Sequence, residues 1–456
     1  MTGFCASLKT VATILSATPR NCAPLITEPS NQQAAVAVGI TTDTRAVKPG
    51  ELFLALEGER FDGHAFAQQA VEKGAIAAIT RKGALPSDTA FPCLEVEDTL
   101  AAYQTLGRWW RQQCNIPVVA ITGSVGKTTT KEIISAALGQ FGAVLKTQAN
   151  FNNEIGVPKT LLSIESEHDY AVVEMGMRGL EEIALLAQIA EPTVGLITNV
   201  GTAHIGRLGS REAIAQAKCE LLRELPSDSI AVLNGDDTLL METAARFWSG
   251  RTITYGLEQG DLQGQVAGEC VAVEGISIPM PLPGRHNALN LLGAIATLQA
   301  LDLDWRRLEA GFTVSMPAGR AQMHKLPSDV WLLDETYNAG AEATVAALQL
   351  LAEQPGTRRI AVLGTMKELG DRSIALHRQV GERVAKLALD ELLILADPAE
   401  AEAMAAGAGT VPSRAFEAHD DLATYIKAQM VAGDRFLFKA SRSVAMDKVV
   451  DQILSL

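Results

Sequence analysis

The stretch Ile121-Thr-Gly-Ser-Val-Gly-Lys-Thr-Thr-Thr130 ends like a phosphate-binding loop. The full G-x-x-x-x-G-K-[ST] spacing would place glycine where Ile121 stands, so the flanks must decide the reading. Before it, PVVAIT is a short apolar run. After it, KTTTKEIISAAL carries apolar residues at Ile133, Ile134, Ala137 and Leu138, at helical spacing. Gly123, Ser124, Val125 and Gly126 therefore lie between a strand and the start of a helix. There, free backbone N–H groups and the positive helix end can hold phosphate oxygens. Lys127 can reach the outer phosphates, the Thr128 hydroxyl can ligate magnesium, and Thr129 follows in the first turn. A flexible Gly-Ser turn is the plain alternative, and the strand and helix on either side argue against it. The reading is a nucleotide loop of a different variety.

Outward from this loop, short β-rich runs alternate with helical stretches almost throughout. That is the pattern of α/β domains with largely parallel sheets. Three blocks are expected, over residues 1–98, 99–313 and 314–456. The first has adjacent strand-like runs AVAVGITTDTR and ELFLALEG joined by Lys48-Pro49-Gly50, a helix over His64 to Lys73, and the strand AIAAIT. The second, a doubly wound unit around the loop, adds the strands DYAVVEM, TVGLITNV and SIAVLN and closes with the helix HNALNLLGAIATLQAL. Turn signals at Ser315-Met-Pro-Ala-Gly319 precede a second doubly wound unit.

The chain has 456 residues, 47% of them hydrophobic and 20% charged, which fits a globular enzyme with more than one core. Its net charge of -14 argues against a general nucleic-acid binder but allows local anion sites. Six scattered cysteines without a C-x-x-C pair read as free thiols. No signal-peptide pattern and no apolar run of about 18 residues stand out, so a cytoplasmic protein without a membrane span is expected.

In an open α/β sheet, ligands bind beyond the carboxyl ends of the strands. Glu174 ends DYAVVE, Asn199 and His204 follow TVGLIT, and Asn234 and Asp236 follow SIAVL. Alone, Glu174 would be a solvated strand end and His204 a structural histidine. Beside a phosphate loop, both point towards magnesium or substrate. In SREAIAQAKCELLREL, Lys218 falls within the apolar face formed by Ile214, Ala217, Leu221, Leu222 and Leu225. It is either a lysine that snorkels to water or a buried one that needs a partner or a changed charge state. Modification by carbon dioxide to an anionic carbamate is one such change, which spacing alone does not select.

These residues resemble the Mur ligases, and the likeness spans all three blocks in order. The central block matches that family in GSVGKT, Glu174, His204 and the lysine of AKCELL. The resemblance implies that Lys218 is carbamylated. It further implies that Thr128, Glu174, His204 and modified Lys218 surround Mg²⁺ and phosphate. It also implies ATP as the nucleotide, with Asn290 of GRHNALN at the adenine and Arg320 and Asp334 approaching from the third block. TDTRAVKPGELFLAL resembles the family's UDP-sugar domain, which would bring Thr42, Asp43, Thr44 and Arg45 near the uridine diphosphate. Asn150, Asn152 and Asn153 of NFNNEIG match residues facing the muramoyl-peptide. LGTMKELG, the downstream His377 and FKASRSVAMDKVV favour the branch that joins D-alanyl-D-alanine to UDP-N-acetylmuramoyl-tripeptide. The chain departs from the family at Gly340-Ala341, where Asn-Pro is usual, and at Ala440, where glycine is usual.

The implied chemistry is ADP-forming peptide ligation through an acyl phosphate, in peptidoglycan precursor synthesis, by a monomer. A ligase of the branch adding the third amino acid would show a D-Y-A-H-T-P type stretch in place of DETYNAGAE. A folylpolyglutamate synthase would not carry TDTR or LGTMKELG. A small-molecule kinase would use the same loop but form no amide. A nucleotide switch would hydrolyse ATP without an acceptor and has no need of Lys218 in an apolar stripe.

Overall fold

A computed structural model describes residues 3–22, 35–58 and 61–455. Among the described residues, three large sheets follow one another along the chain, with a two-stranded pair beside the first. The first has five strands in the spatial order Thr18–Arg20, Cys93–Val96, Ala77–Arg81, Leu52–Leu54 and Ile40–Thr41. All its pairings are parallel except that of Thr18–Arg20 with Cys93–Val96. The two runs flanking Lys48-Pro49-Gly50 are thus not a hairpin, because Ile40–Thr41 pairs parallel to Leu52–Leu54. The preceding Val36–Ala37 pairs elsewhere, antiparallel to Ala6–Ser7. The helix expected over His64 to Lys73 splits into a 3-10 turn, Gly63–Phe66, and a helix, Ala67–Glu72.

The central sheet has nine strands. Its parallel core runs Val144–Lys146, Tyr170–Glu174, Val118–Thr122, Val194–Ile197, Ile230–Asn234, Thr252–Gly256 and Leu262–Ala267. Cys270–Val273 and Ile276–Pro279 add an antiparallel flank. The residues of Val118–Thr122 are all buried, as both faces of a parallel sheet require. After this strand the chain goes to the edge, returns to Tyr170–Glu174 on one side, then crosses to Val194–Ile197 on the other. The loop after Val118–Thr122 therefore emerges where the winding reverses, the position that favours ligand binding.

The third sheet has six strands, ordered Gln322–Leu326, Val330–Glu335, Asp434–Lys439, Arg358–Gly364, Glu391–Leu395 and Ser413–Ala415. Only its first pair is antiparallel. Helix Thr99–Gln113, capped by Asp98 through the N–H groups of Leu100 and Ala101, joins the first two units. Ala102, Tyr103 and Leu106 enter the first core, while Trp110 packs against both the first and the central cores. No described helix is long and apolar enough to cross a membrane.

Candidate active site

The nucleotide loop fits its neighbours closely. Gly126 has φ +85° and begins helix Lys127–Leu138. Gly123 has φ +152°, and a Cβ there would stand 1.8 Å from Thr198 Oγ1, so only glycine fits. Asn199 grips the loop from the next strand: its Oδ1 accepts from Val125 N and its Nδ2 donates to Val125 O, both at 2.9 Å. Lys127 Nζ donates to Gly123 O at 2.6 Å, and burial pushes its pKa down. Thr129 is half-buried beside it.

Glu174 meets the loop from the neighbouring strand end. Thr128 Oγ1 donates to its Oε2 and Asn152 Nδ2 to its Oε1, each at 2.8 Å. Behind them lies a charged cluster that the sequence reading missed. Lys131, 1% exposed, donates to Thr147 O at 2.8 Å and lies 3.1 Å from Glu132 and 3.9 Å from Glu174. Its signal was available, since Lys131 follows Lys127 by one helical turn and so shares its face. Among the described residues, no three His, Cys, Asp or Glu side chains gather as a metal site.

A cleft of about 810 Å³ opens here. The central unit lines it with Ser124 to Thr129, Glu174, Asn199, His204, Asn234 and Asn290. Asn150, Asn152 and Asn153 also line it, as does the third unit through Arg320, Tyr337, Asn338, Lys367, Glu368, Lys439 and Arg442. Asn290 Oδ1 accepts from Thr130 Oγ1 at 3.1 Å, which ties that helix to the loop. Arg320 stacks over Tyr337 at 4.1 Å. His204, with φ +66°, places Nδ1 2.7 Å from Glu368 Oε2. Burial, then the charge of Lys127, lowers its pKa.

Other expected residues stand apart. Lys218 is 1% exposed, so its ammonium does not snorkel, and no described hydrogen bond or ion pair engages it. It is not among the residues lining the cleft, and as a cation it would push the His204 pKa further down. Burial, then Lys127, holds its pKa well below the usual lysine range. Asp334 does not line the cleft: its Oδ1 accepts from Thr336 N and Oγ1 at 3.0 and 2.6 Å. Thr42, Asp43, Thr44 and Arg45 lie on the first unit, away from this cleft, with Asp43 and Arg45 paired at 2.7 Å. That guanidinium lowers the Asp43 pKa to about 2. Asp236 is structural, accepting from the N–H groups of Leu257, Glu258 and Gln259. His377 is fully buried; its Nε2 accepts from Met366 N and its Nδ1–H donates to Ser373 O. It therefore holds the LGTMKELG loop rather than facing the cleft.

Three family models match along the chain: the Mur ligase family catalytic domain over residues 37–101, the Mur ligase middle domain over 121–298, and the Mur ligase glutamate ligase domain over 319–442. A UDP-N-acetylmuramoyl-tripeptide--D-alanyl-D-alanine ligase of Synechocystis sp. is 56% identical over 416 residues, covering 91% of this chain and 92% of its own. The chain is a Mur ligase. The ligase is also 37% identical to the Escherichia coli protein of the same name, with 90% of this chain and 92% of that one covered. Among solved structures, MurF from Acinetobacter baumannii superposes with a TM-score of 0.88 at 30% identity over the full length of both chains. MurF ligase from Thermotoga maritima, solved in complex with ADP, gives 0.80 at 30% identity, covering 91% of this chain and 97% of its own.

Proposed function

We propose that this Mur ligase uses ATP to join D-alanyl-D-alanine to UDP-N-acetylmuramoyl-tripeptide, releasing ADP and phosphate. The observation that carries this reading is one cleft with two unlike walls. One wall is the GSVGKT loop with Glu174; the other is a separate sheet bearing Arg320, Lys439 and Arg442. The names of the relatives supply the substrate pair. We further propose the unit division 1–98, 99–313 and 314–456, with Thr42 to Arg45 on the uridine diphosphate side and Asn150, Asn152 and Asn153 towards the muramoyl-peptide.

A carboxylate cannot be attacked by an amine until one of its oxygens becomes a leaving group. One tripeptide carboxylate oxygen bonds to the γ-phosphorus as the bridging oxygen departs with ADP. The dipeptide amine then attacks the acyl carbon, loses a proton, and phosphate leaves with that same oxygen. Lys127 and the loop N–H groups hold the triphosphate and offset charge on the moving phosphoryl group. The third unit shields the water-sensitive acyl phosphate. Asn290 fits adenine and Arg320 the nucleotide from the opposite wall.

Thr128 and Glu174 offer hard oxygen donors of the kind Mg²⁺ prefers, leaving further positions to phosphate oxygens and water. Bound there, magnesium would neutralise phosphate charge. His204 adds a nitrogen donor at the same side of the cleft. Lys218 as an ammonium has no lone pair to offer. Its lowered pKa favours the neutral amine, which can form an N–C bond with carbon dioxide and release a proton. A carbamate so formed would offer two oxygens and a negative charge in place of a cation.

The test is ATP turnover with UDP-muramoyl-tripeptide, with and without D-Ala-D-Ala, read by product mass. Oxygen-18 in the terminal carboxylate should appear in the released phosphate. Label kept wholly in the peptide, AMP formation, or equal turnover with D-Glu, L-Lys or meso-diaminopimelate would each overturn the proposal.

A further inference from the structure

The loop that carries His204 is grasped by two carboxylates of the third unit. Glu342, in the first turn of helix Ala341–Glu353, accepts from Thr202 N at 2.7 Å and Thr202 Oγ1 at 3.0 Å. Glu368 reaches His204 Nδ1 at 2.7 Å and Arg207 at 3.8 Å, and its carbonyl accepts from Gly206 N at 3.2 Å. The grip continues inward, because Gly201 N donates to Ser124 Oγ of the nucleotide loop at 2.8 Å.

Both partner loops are strained where they meet. His204 and Glu368 each have φ +66°, a left-handed conformation that costs a non-glycine residue about 1–2 kcal/mol and persists only where surroundings enforce it. Their backbones also touch. A Cβ on Gly206 would stand 2.6 Å from Gly370 N, and one on Gly370 would stand 2.8 Å from Gly206 Cα. Gly206 itself has no left-handed φ, so its lack of a side chain serves this close approach rather than its own conformation.

From this we infer that Glu342 and Glu368, seated by the Gly206–Gly370 contact, are positioning residues that set His204 when the third unit docks. The inference rests on the ligase reading, since it assigns His204 to the reaction. Docking thereby completes the site as well as sealing it. Nothing need be transmitted over distance, because the segment Gly201–Gly206 that takes the latch also touches the nucleotide loop at Ser124.

Four variants of the full-length ligase test this: Glu342→Gln, Glu368→Gln, the conservative Glu368→Asp and the wedge Gly206→Ala. Thr202 and Gly206 amides report the latch directly, so hydrogen–deuterium exchange across residues 200–209 is measured beside steady-state kinetics. Gly206→Ala and Glu368→Gln should raise exchange there with the melting temperature unchanged. They should lower kcat on the order of 10²-fold, the scale of an ångström's misplacement, while KM for the UDP substrate stays put. Glu368→Asp should recover part of kcat. Raised exchange with parental kcat would overturn the inference, as would lowered kcat with parental exchange. Absence of turnover even in the parent would instead indict the ligase reading, leaving the exchange result to judge the latch alone.

Discussion

At the scale of the residue, Lys218 separates a structural lysine from a working one. It is buried on helix Arg211–Arg223, as are Ile214, Ala217 and Leu222, with no described partner, an arrangement that costs stability unless the amine is neutral or modified. Lys218→Met keeps the length and removes that cost. Its melting temperature should match or exceed the parent's, while ligase turnover falls by about a hundredfold or more, on the scale of losing one charge-stabilising group. A less stable, fully active variant would return Lys218 to a structural role. The pH dependence has a fixed sign. The folded pKa lies below the unfolded value, so between the two the unfolded chain binds more protons and stability rises with pH. In carbon-dioxide-free buffer the advantage of Lys218→Met should therefore be largest near neutrality and fade towards pH about 10, where the unfolded lysine also loses its proton. Scanning fluorimetry of both proteins across that range reads the difference. Lys218→Ala should regain some turnover with an added short carboxylic acid and none with an amine.

At the scale of the element, the strand–loop–helix unit around Gly123 was legible because the apolar run, the glycines and the helical period coincide within a few residues. Lys218 was legible for a similar reason, since one helix face shows it. Glu342 and Glu368 were not, because their partners lie 140 positions away for Glu342 and on another unit for Glu368. Nothing local marks such pairings. The flank from Leu262 to Pro279 also escaped, since its strands are short and only half-buried, giving a weak alternation. Asp334 shows a different limit: a motif match fixed its place in the chain but not its hydrogen bonds to Thr336. The loop itself yields a firm expectation. Gly123→Ala forces a Cβ against Thr198 Oγ1 in a left-handed backbone, so ADP affinity measured by calorimetry should fall by more than about tenfold, or about 1.4 kcal/mol. Unchanged affinity would mean that the loop is not the phosphate site.

At the scale of the whole molecule, helix Thr99–Gln113 makes the first unit and the central one a joint body. Trp110 donates Nε1–H to Ile164 O at 3.1 Å and packs against both cores. Trp110→Ala should cost about 3 kcal/mol and split calorimetric unfolding into separate transitions. A single transition at the parent's temperature would refute the coupling. Four of the molecule's cations share a further arrangement. Lys127 is held by its own loop carbonyl, Arg45 by Asp43, Lys439 by Glu335 and Asn338, and Lys367 by Asp397. An anion reaching any of these four must exchange with an acceptor already in place, against a background charge of -14. A lone phosphate or sulfate meets one such contest and gains little from winning it. A nucleoside triphosphate or UDP-sugar contests several at once, and the gains accumulate. Selectivity against the small anions of a crowded solution is thus a matter of valence, and millimolar inorganic phosphate should inhibit the ligase only weakly.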